Sequence, residues 1–156
     1  MGTGFTEIMN HELKCSLADK KKYIRLWQVA KPYLDTRENE IHTRISVELA
    51  LRLLESEGGS PEVVLPAVIL HDVGWKRIPE ALQLEAFGPR ASSPELNRLH
   101  EVEGVKIARE LLAKTFYDRS LTREILAIIE GHDSRSRALS ENNAGPEKKQ
   151  ADQQNE

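Results

Sequence analysis

One cysteine, Cys15, stands in the whole 156-residue chain, so no intrachain disulfide can form and a reducing compartment is the natural one. No apolar run approaches the ~20 residues of a membrane span. The first dozen residues, with Glu7, Asn10, His11 and Glu12 among them, lack a leader's apolar core. Strong charge of either sign is missing too: the formal net charge is −3, which gives no electrostatic reason to expect nucleic acid as a partner. There is no glycine-rich phosphate loop of the P-loop or dinucleotide type, so a phosphate would have to be met by side chains or a metal. Sustained period-2 alternation and hairpin dipeptides are lacking, which argues against strands. No internal repeat is visible. What is left is a soluble, cytoplasmic protein of one domain's length, 39% hydrophobic and 30% charged.

The apolar residues that are present fall at helical spacing, and an all-α, single-domain bundle of five or six helices is expected. Residues 1–18 are weakly patterned and are expected to be weakly ordered. The domain proper should cover 19–139. Asp19 is placed to cap a helix reaching about Leu34, with Tyr23, Ile24, Trp27, Ala30 and Leu34 along one side. Lys20, Lys21 and Lys22 read as a solvated face. Asp35-Thr36-Arg37-Glu38 offers a capping-box signal for a helix over roughly 37–57, whose inward stripe would be Ile41, Ile45, Leu49 and Leu53, with His42 beside it. Gly58-Gly59 ends it.

The densest apolar stretch follows. Ser60 and Pro61 suit the cap and first position of a buried helix, although Pro66 favours a start nearer Val63 or a kinked first turn. This helix ends in His71-Asp72, and Gly74 would stop it. A short helix is expected near 78–86. Ser93-Pro94-Glu95 then marks the start of a helix to about Lys114, with Leu96, His100, Ile107 and Leu111 inward. Leu121, Ile125, Ile128 and Ile129 lead up to His132 on one apolar face, with Asp133 next to it. Beyond Leu139 no large apolar residue occurs, so 140–156 is expected to be a disordered polar tail.

Four histidines thus lie on or at the ends of four core helices: His42, His71, His100 and His132. Each taken alone reads as an ordinary core histidine with a hydrogen-bond partner. Four of them inward, two followed by aspartate, would each need such a partner, and one shared metal centre satisfies them together.

These stretches resemble the HD superfamily of metal-dependent phosphohydrolases. The matching residues are Ile41-His42-Thr43-Arg44-Ile45, Ile69-Leu70-His71-Asp72-Val73-Gly74-Trp75, Leu99-His100-Glu101-Val102-Glu103-Gly104 and Ile128-Ile129-Glu130-Gly131-His132-Asp133, so the likeness spans roughly 37–135. The resemblance implies metal ligation by His42, His71 and Asp72, with His100 and His132 as further ligands of a two-metal centre or as phosphate contacts. In one respect the chain departs from the pattern: the family's final aspartate helix is missing. Asp133 is the nearer substitute as a metal ligand, and Asp152 a fainter one in the polar tail.

The implied activity is hydrolysis of a nucleotide or other small phosphoester by a metal-activated water. Asp72, His100 and His132 would be the catalytic groups, and Lys76 or Arg44 would be candidate charges near the phosphate. Mixed nitrogen and oxygen ligands suit Mn, Fe, Co, Ni or Zn, and Mg less well. Two alternatives stay open: a non-catalytic metal- or ligand-binding bundle, and a di-iron oxygenase. Oligomeric state is not legible in the sequence.

Overall fold

The computed structural model of the chain describes residues 4–12, 16–87 and 93–133. Within them the protein is all-α: α1 (Phe5–Glu12), α2 (Leu17–Ala30), α3 (Asn39–Glu57), α4 (Pro61–Leu70), α5 (Glu80–Phe87), α6 (Pro94–Lys114) and α7 (Arg119–Glu130). Short 3-10 turns at Lys31–Tyr33 and Val73–Arg77 extend α2 and join α4 to α5. The polar tail 140–156, with Asp152, lies outside the described residues.

The helix not foreseen is α1, which corrects the expectation of a weakly ordered start. Phe5, Ile8 and Met9 occupy one face and are buried, with Phe5 stacked flat on Trp27 at 4.3 Å between ring centroids. Three apolar residues are too few to announce a helix. The partner surface on α2 stabilises it, as packing commonly does for short helices. Two start signals are also corrected. The cap of α2 is Ser16, whose hydroxyl accepts the Asp19 amide at 3.1 Å and donates to the Asp19 carboxylate at 2.6 Å. Asp19 is thus the cap's partner in the first turn and not the cap itself. Before α3, Arg37 and Glu38 take left-handed backbone (φ 48° and 59°), and no side chain caps the helix.

At the centre lies α4, apolar all round and buried through Val63, Leu65, Pro66, Ala67, Ile69 and Leu70. Helices α2, α3 and α7 pack about it. It runs unbroken from Pro61 through Pro66. Ser60 occupies the cap position without a side-chain bond, its carbonyl accepting the Val63 and Val64 amides at 3.1 and 2.9 Å.

Helix α3 presents a different face from the one expected. Its buried residues are Asn39, Thr43, Val47, Ala50 and Leu51. Ile41, Ile45, Leu49 and Leu53 are 45%, 52%, 53% and 60% exposed. Two apolar stripes compete on this helix, and the one with the smaller side chains faces the core, where α3 packs against α4. His42 lies on the exposed side with the larger stripe.

The backbone packs closely at Gly74, within the turn Val73–Arg77 and not at a helix stop. A Cβ built there would overlap the His100 carbonyl oxygen and stand 2.6 Å from the Gly104 amide nitrogen. One at Gly104 would meet the Ile129 Cγ2 at 3.5 Å and nothing nearer. The turn carrying Asp72 therefore lies against α6 at the level of His100. Gln83 of α5 holds the same turn, donating from Nε2 to the Trp75 and Ile78 carbonyls at 3.0 and 2.7 Å.

This contact predicts opposite outcomes for two glycine substitutions. Gly74→Ala should lower stability by about 1–3 kcal/mol or more through overpacking against backbone. Gly104→Ala, in ordinary contact and within a helix, should change it by no more than about 1 kcal/mol in either direction. Chemical denaturation of the two variants checks this.

Candidate metal centre

Each of the four histidines reaches the site from a helix end or a helix face fixed by the packing above. His71 follows the last residue of α4, and its ring turns back so that Nδ1–H donates to the Val68 carbonyl at 2.7 Å. His132 follows α7 and does the same to the Ile129 carbonyl at 2.8 Å. In both neutral rings this leaves the Nε2 lone pair pointing away from the helix, the tautomer a metal ligand needs. His42 comes from the exposed side of α3. His100, fully buried in α6, stacks on the Trp75 indole at 4.2 Å between centroids and 11° between planes.

The imidazoles meet in two pairs with Asp72 between them. His42 Nε2 and His71 Nε2 are 3.3 Å apart, and Asp72 Oδ2 lies 3.5 and 3.3 Å from them. On the other side, His100 Nε2 and His132 Nε2 are 3.1 Å apart, each 3.8 Å from Asp72 Oδ1. In each triad the candidate ligand atoms lie within 4.8 Å of one another. Asp133 Oδ2 stands 3.6 Å from His100 Nε2 and 4.0 Å from His132 Nε2. Asp133 therefore joins the second pair and extends the site on that side.

The residues present fit a divalent cation. Two facing Nε2 atoms cannot both offer lone pairs at such distances without a proton or a cation between them. Ligand atoms ~2.0–2.2 Å from a shared tetrahedral ion stand roughly 3.3–3.6 Å apart. The separations among His42, His71 and Asp72 match that edge length. Those among Asp72, His100 and His132 are less even. The first triad is the better-formed cation site.

Electrostatics point the same way. Burial opposes ionisation of Asp72, yet hydrogen bonds from His132 and His71 and the nearby imidazole charges hold its carboxyl well below the usual carboxylate range. Burial pulls His71 down, but its hydrogen bond and charge interaction with Asp72 outweigh this and raise it above 6.5. His132 behaves likewise, its burial outweighed by Asp72, the Ile129 carbonyl and Asp133. His100 goes the other way: burial and the neighbouring His132 lower it.

Glu101 was not singled out in the sequence. It is fully buried and accepts the Asp133 amide at 3.0 Å on Oε1 and the Arg98 guanidinium at 3.2 Å on Oε2. Arg98 also donates to the Glu130 carbonyl at 2.7 Å, so α6 grips the end of α7 and sets the His132-Asp133 turn. The signal was its position: Glu101, Gly104, Ala108 and Leu111 share the buried side of α6. Lys76, a candidate for phosphate, is engaged with Asp35 at 2.6 Å.

Two predictions follow from the split carboxylate. Asp72→Asn should abolish tight divalent-metal uptake, and His42→Gln should weaken it by at least tenfold. His100→Gln should leave the first equivalent bound. Metal content after desalting, with titration of Mn or Ni, checks all three. Cation uptake must also displace the proton that Asp72 favours on His71, because protonated imidazole has no lone pair. Since His71 titrates above 6.5, affinity should fall as pH drops from 8 toward 6. Calorimetry in buffers of different ionisation enthalpy should count released protons, more at pH 6.5 than at pH 8.

No curated protein and no solved structure matches the chain. Among the described residues no helix is long and apolar enough to cross a membrane. The family described as "HD domain" matches residues 39–155, a span that takes in all four histidines, Asp72 and Asp133. The chain belongs to the HD domain family, within the superfamily of metal-dependent phosphohydrolases.

Proposed function

We propose that the protein hydrolyses small phosphoesters, nucleotides among the candidates, at a cation held by His42, His71 and Asp72. The observation that supports this is the division of the Asp72 carboxylate between two imidazole pairs, one spaced for a cation and one standing beside it. A divalent cation bound there supplies the charge that acidifies a water and polarises a phosphoryl oxygen. Mn, Fe, Co, Ni or Zn suits the donor set, and Mg suits it less.

The chain's own groups then divide the work. Asp72 orients: its Oδ2 closes the first triad and its Oδ1 steadies positive charge on His132. His132 Nε2, kept protonated by Asp72, donates to a phosphoryl oxygen. His100 Nε2, 3.1 Å from it, adds a second contact. Trp75 stacks on the His100 ring, carried there by the close packing of Gly74 on the His100 backbone, so that this contact is preorganised. Asp133, held by Glu101 through its amide, keeps the second imidazole pair in place.

Protein prepared without chelator and assayed with Mn or Ni against a panel of phosphoesters should release phosphate. His71→Ala and Asp72→Asn should lose that activity. Asp133→Asn should lower the rate about 10–100-fold, as removal of a ligand-orienting partner does, with the first metal equivalent retained. Full metal loading without phosphate release from any ester would overturn the hydrolase reading in favour of a binding bundle. Iron-dependent oxygen consumption would point instead to the oxygenase.

A further inference from the structure

Beside the centre lies a cleft of about 350 Å³, within the size range of small-ligand pockets. Leu49, Leu53, Ala67, Val68 and Ile128 form its walls, and Ser46 is its one hydroxyl. His71 and His132 close its inner end, so the cleft and the imidazole pairs are one continuous space. Among the described residues the lining contains no Lys, Arg, Asp or Glu. The Ser46 hydroxyl already donates to the His42 carbonyl at 2.9 Å.

That lining bears on what lies beyond the phosphate. Further phosphates would need cations, and a nucleobase edge would need donors and acceptors; the walls offer neither. Polar groups placed here would lose water without replacement partners. An alkyl or unsubstituted ring would bury against Leu49, Leu53 and Ile128 at no such cost. The exposure of Leu49 and Leu53, 53% and 60%, is then that of walls awaiting a ligand.

We propose that this cleft binds the organic group of the substrate, and that the substrate is a phosphomonoester of a small apolar alcohol. The inference rests on the hydrolase reading for the bond broken, but not for the binding. In the reaction water adds to phosphorus, the ester P–O bond breaks, and the apolar alcohol leaves with the proton while phosphate stays at the imidazoles. A second copy of the chain fits the cleft less well, because it would close the route to His71 and His132.

The test uses the full chain loaded with Mn. n-Alkylphosphonic acids from methyl to hexyl, which cannot be hydrolysed as esters, are titrated in by calorimetry. The matching n-alkyl phosphates, ethyl to hexyl, whose leaving groups differ little in basicity, are assayed for phosphate release. Affinity should tighten about two- to fourfold per methylene until the cleft is filled, and kcat/KM should rise in step. Leu53→Asn should flatten both series, and Leu17→Asn, an exposed leucine away from the cleft, should not. Chain-length-dependent binding with no phosphate released would keep the cleft and overturn the hydrolase reading. Hydrolysis indifferent to chain length would do the reverse. A dimer by sedimentation that Leu53→Asn converts to monomer would also overturn the proposal, the cleft then being a contact between copies.

Discussion

An anionic carboxylate at the end of the most apolar helix is the constraint on which the structure turns. Asp72 follows α4 just past the fully buried Ile69 and Leu70, and a charge there is costly unless opposite charge and hydrogen bonds surround it. Imidazoles reach it from α3, the end of α4, α6 and the end of α7. None of these elements is adjacent to all the others in sequence, so the carboxylate can be satisfied only when α3, α4, α6 and α7 are docked together. The same convergence that solves the burial of Asp72 produces the ligand set.

Close approach is what lets one carboxylate serve two imidazole pairs. The Val73–Arg77 turn must press against α6 so that Asp72 Oδ1 comes within 3.8 Å of His100. Gly74 permits it, since any side chain would collide with the His100 carbonyl. Trp75, one residue on, then stacks on the imidazole it has been brought beside. His71 and His132 repeat a single local device: an imidazole just past a helix end bonds back to the carbonyl three residues earlier. Each is followed by an aspartate. The device fixes the tautomer with no help from distant residues, which is why a His-Asp doublet at a helix end suffices to present Nε2.

That local character explains what could be read from the chain alone. His71, His100 and His132 were legible because each lies on or just past a helix whose apolar residues mark its buried side, so its direction follows from the helix. The stripe on α3 was not. Ile41, Ile45, Leu49 and Leu53 outweigh Thr43, Val47 and Ala50 in hydrophobicity, yet the smaller set faces α4. Which stripe is buried depends on the helix that packs against it, and that is written in the partner. For the same reason α1 escaped notice: Phe5 has its reason for burial in Trp27. Glu101 was overlooked because a carboxylate on a buried stripe makes sense only beside Arg98 and the Asp133 amide, the latter 32 positions away.

The misread stripe and the site are related. His42 lies on the same exposed side of α3 as Ile45, Leu49 and Leu53, and reaches His71 from the rim of the core. The orientation that buries Thr43, Val47 and Leu51 leaves Leu49 and Leu53 outward along the edge of the site. Had the larger stripe faced the core, Leu49 and Leu53 would have been buried and the cleft would have lost its walls. Exposed leucines usually need no explanation, since much of any protein surface is apolar. Here their exposure is tied to ligand geometry through one helix orientation. The placement of His42 and the apolar character of the neighbouring cleft are consequences of a single packing choice between α3 and α4.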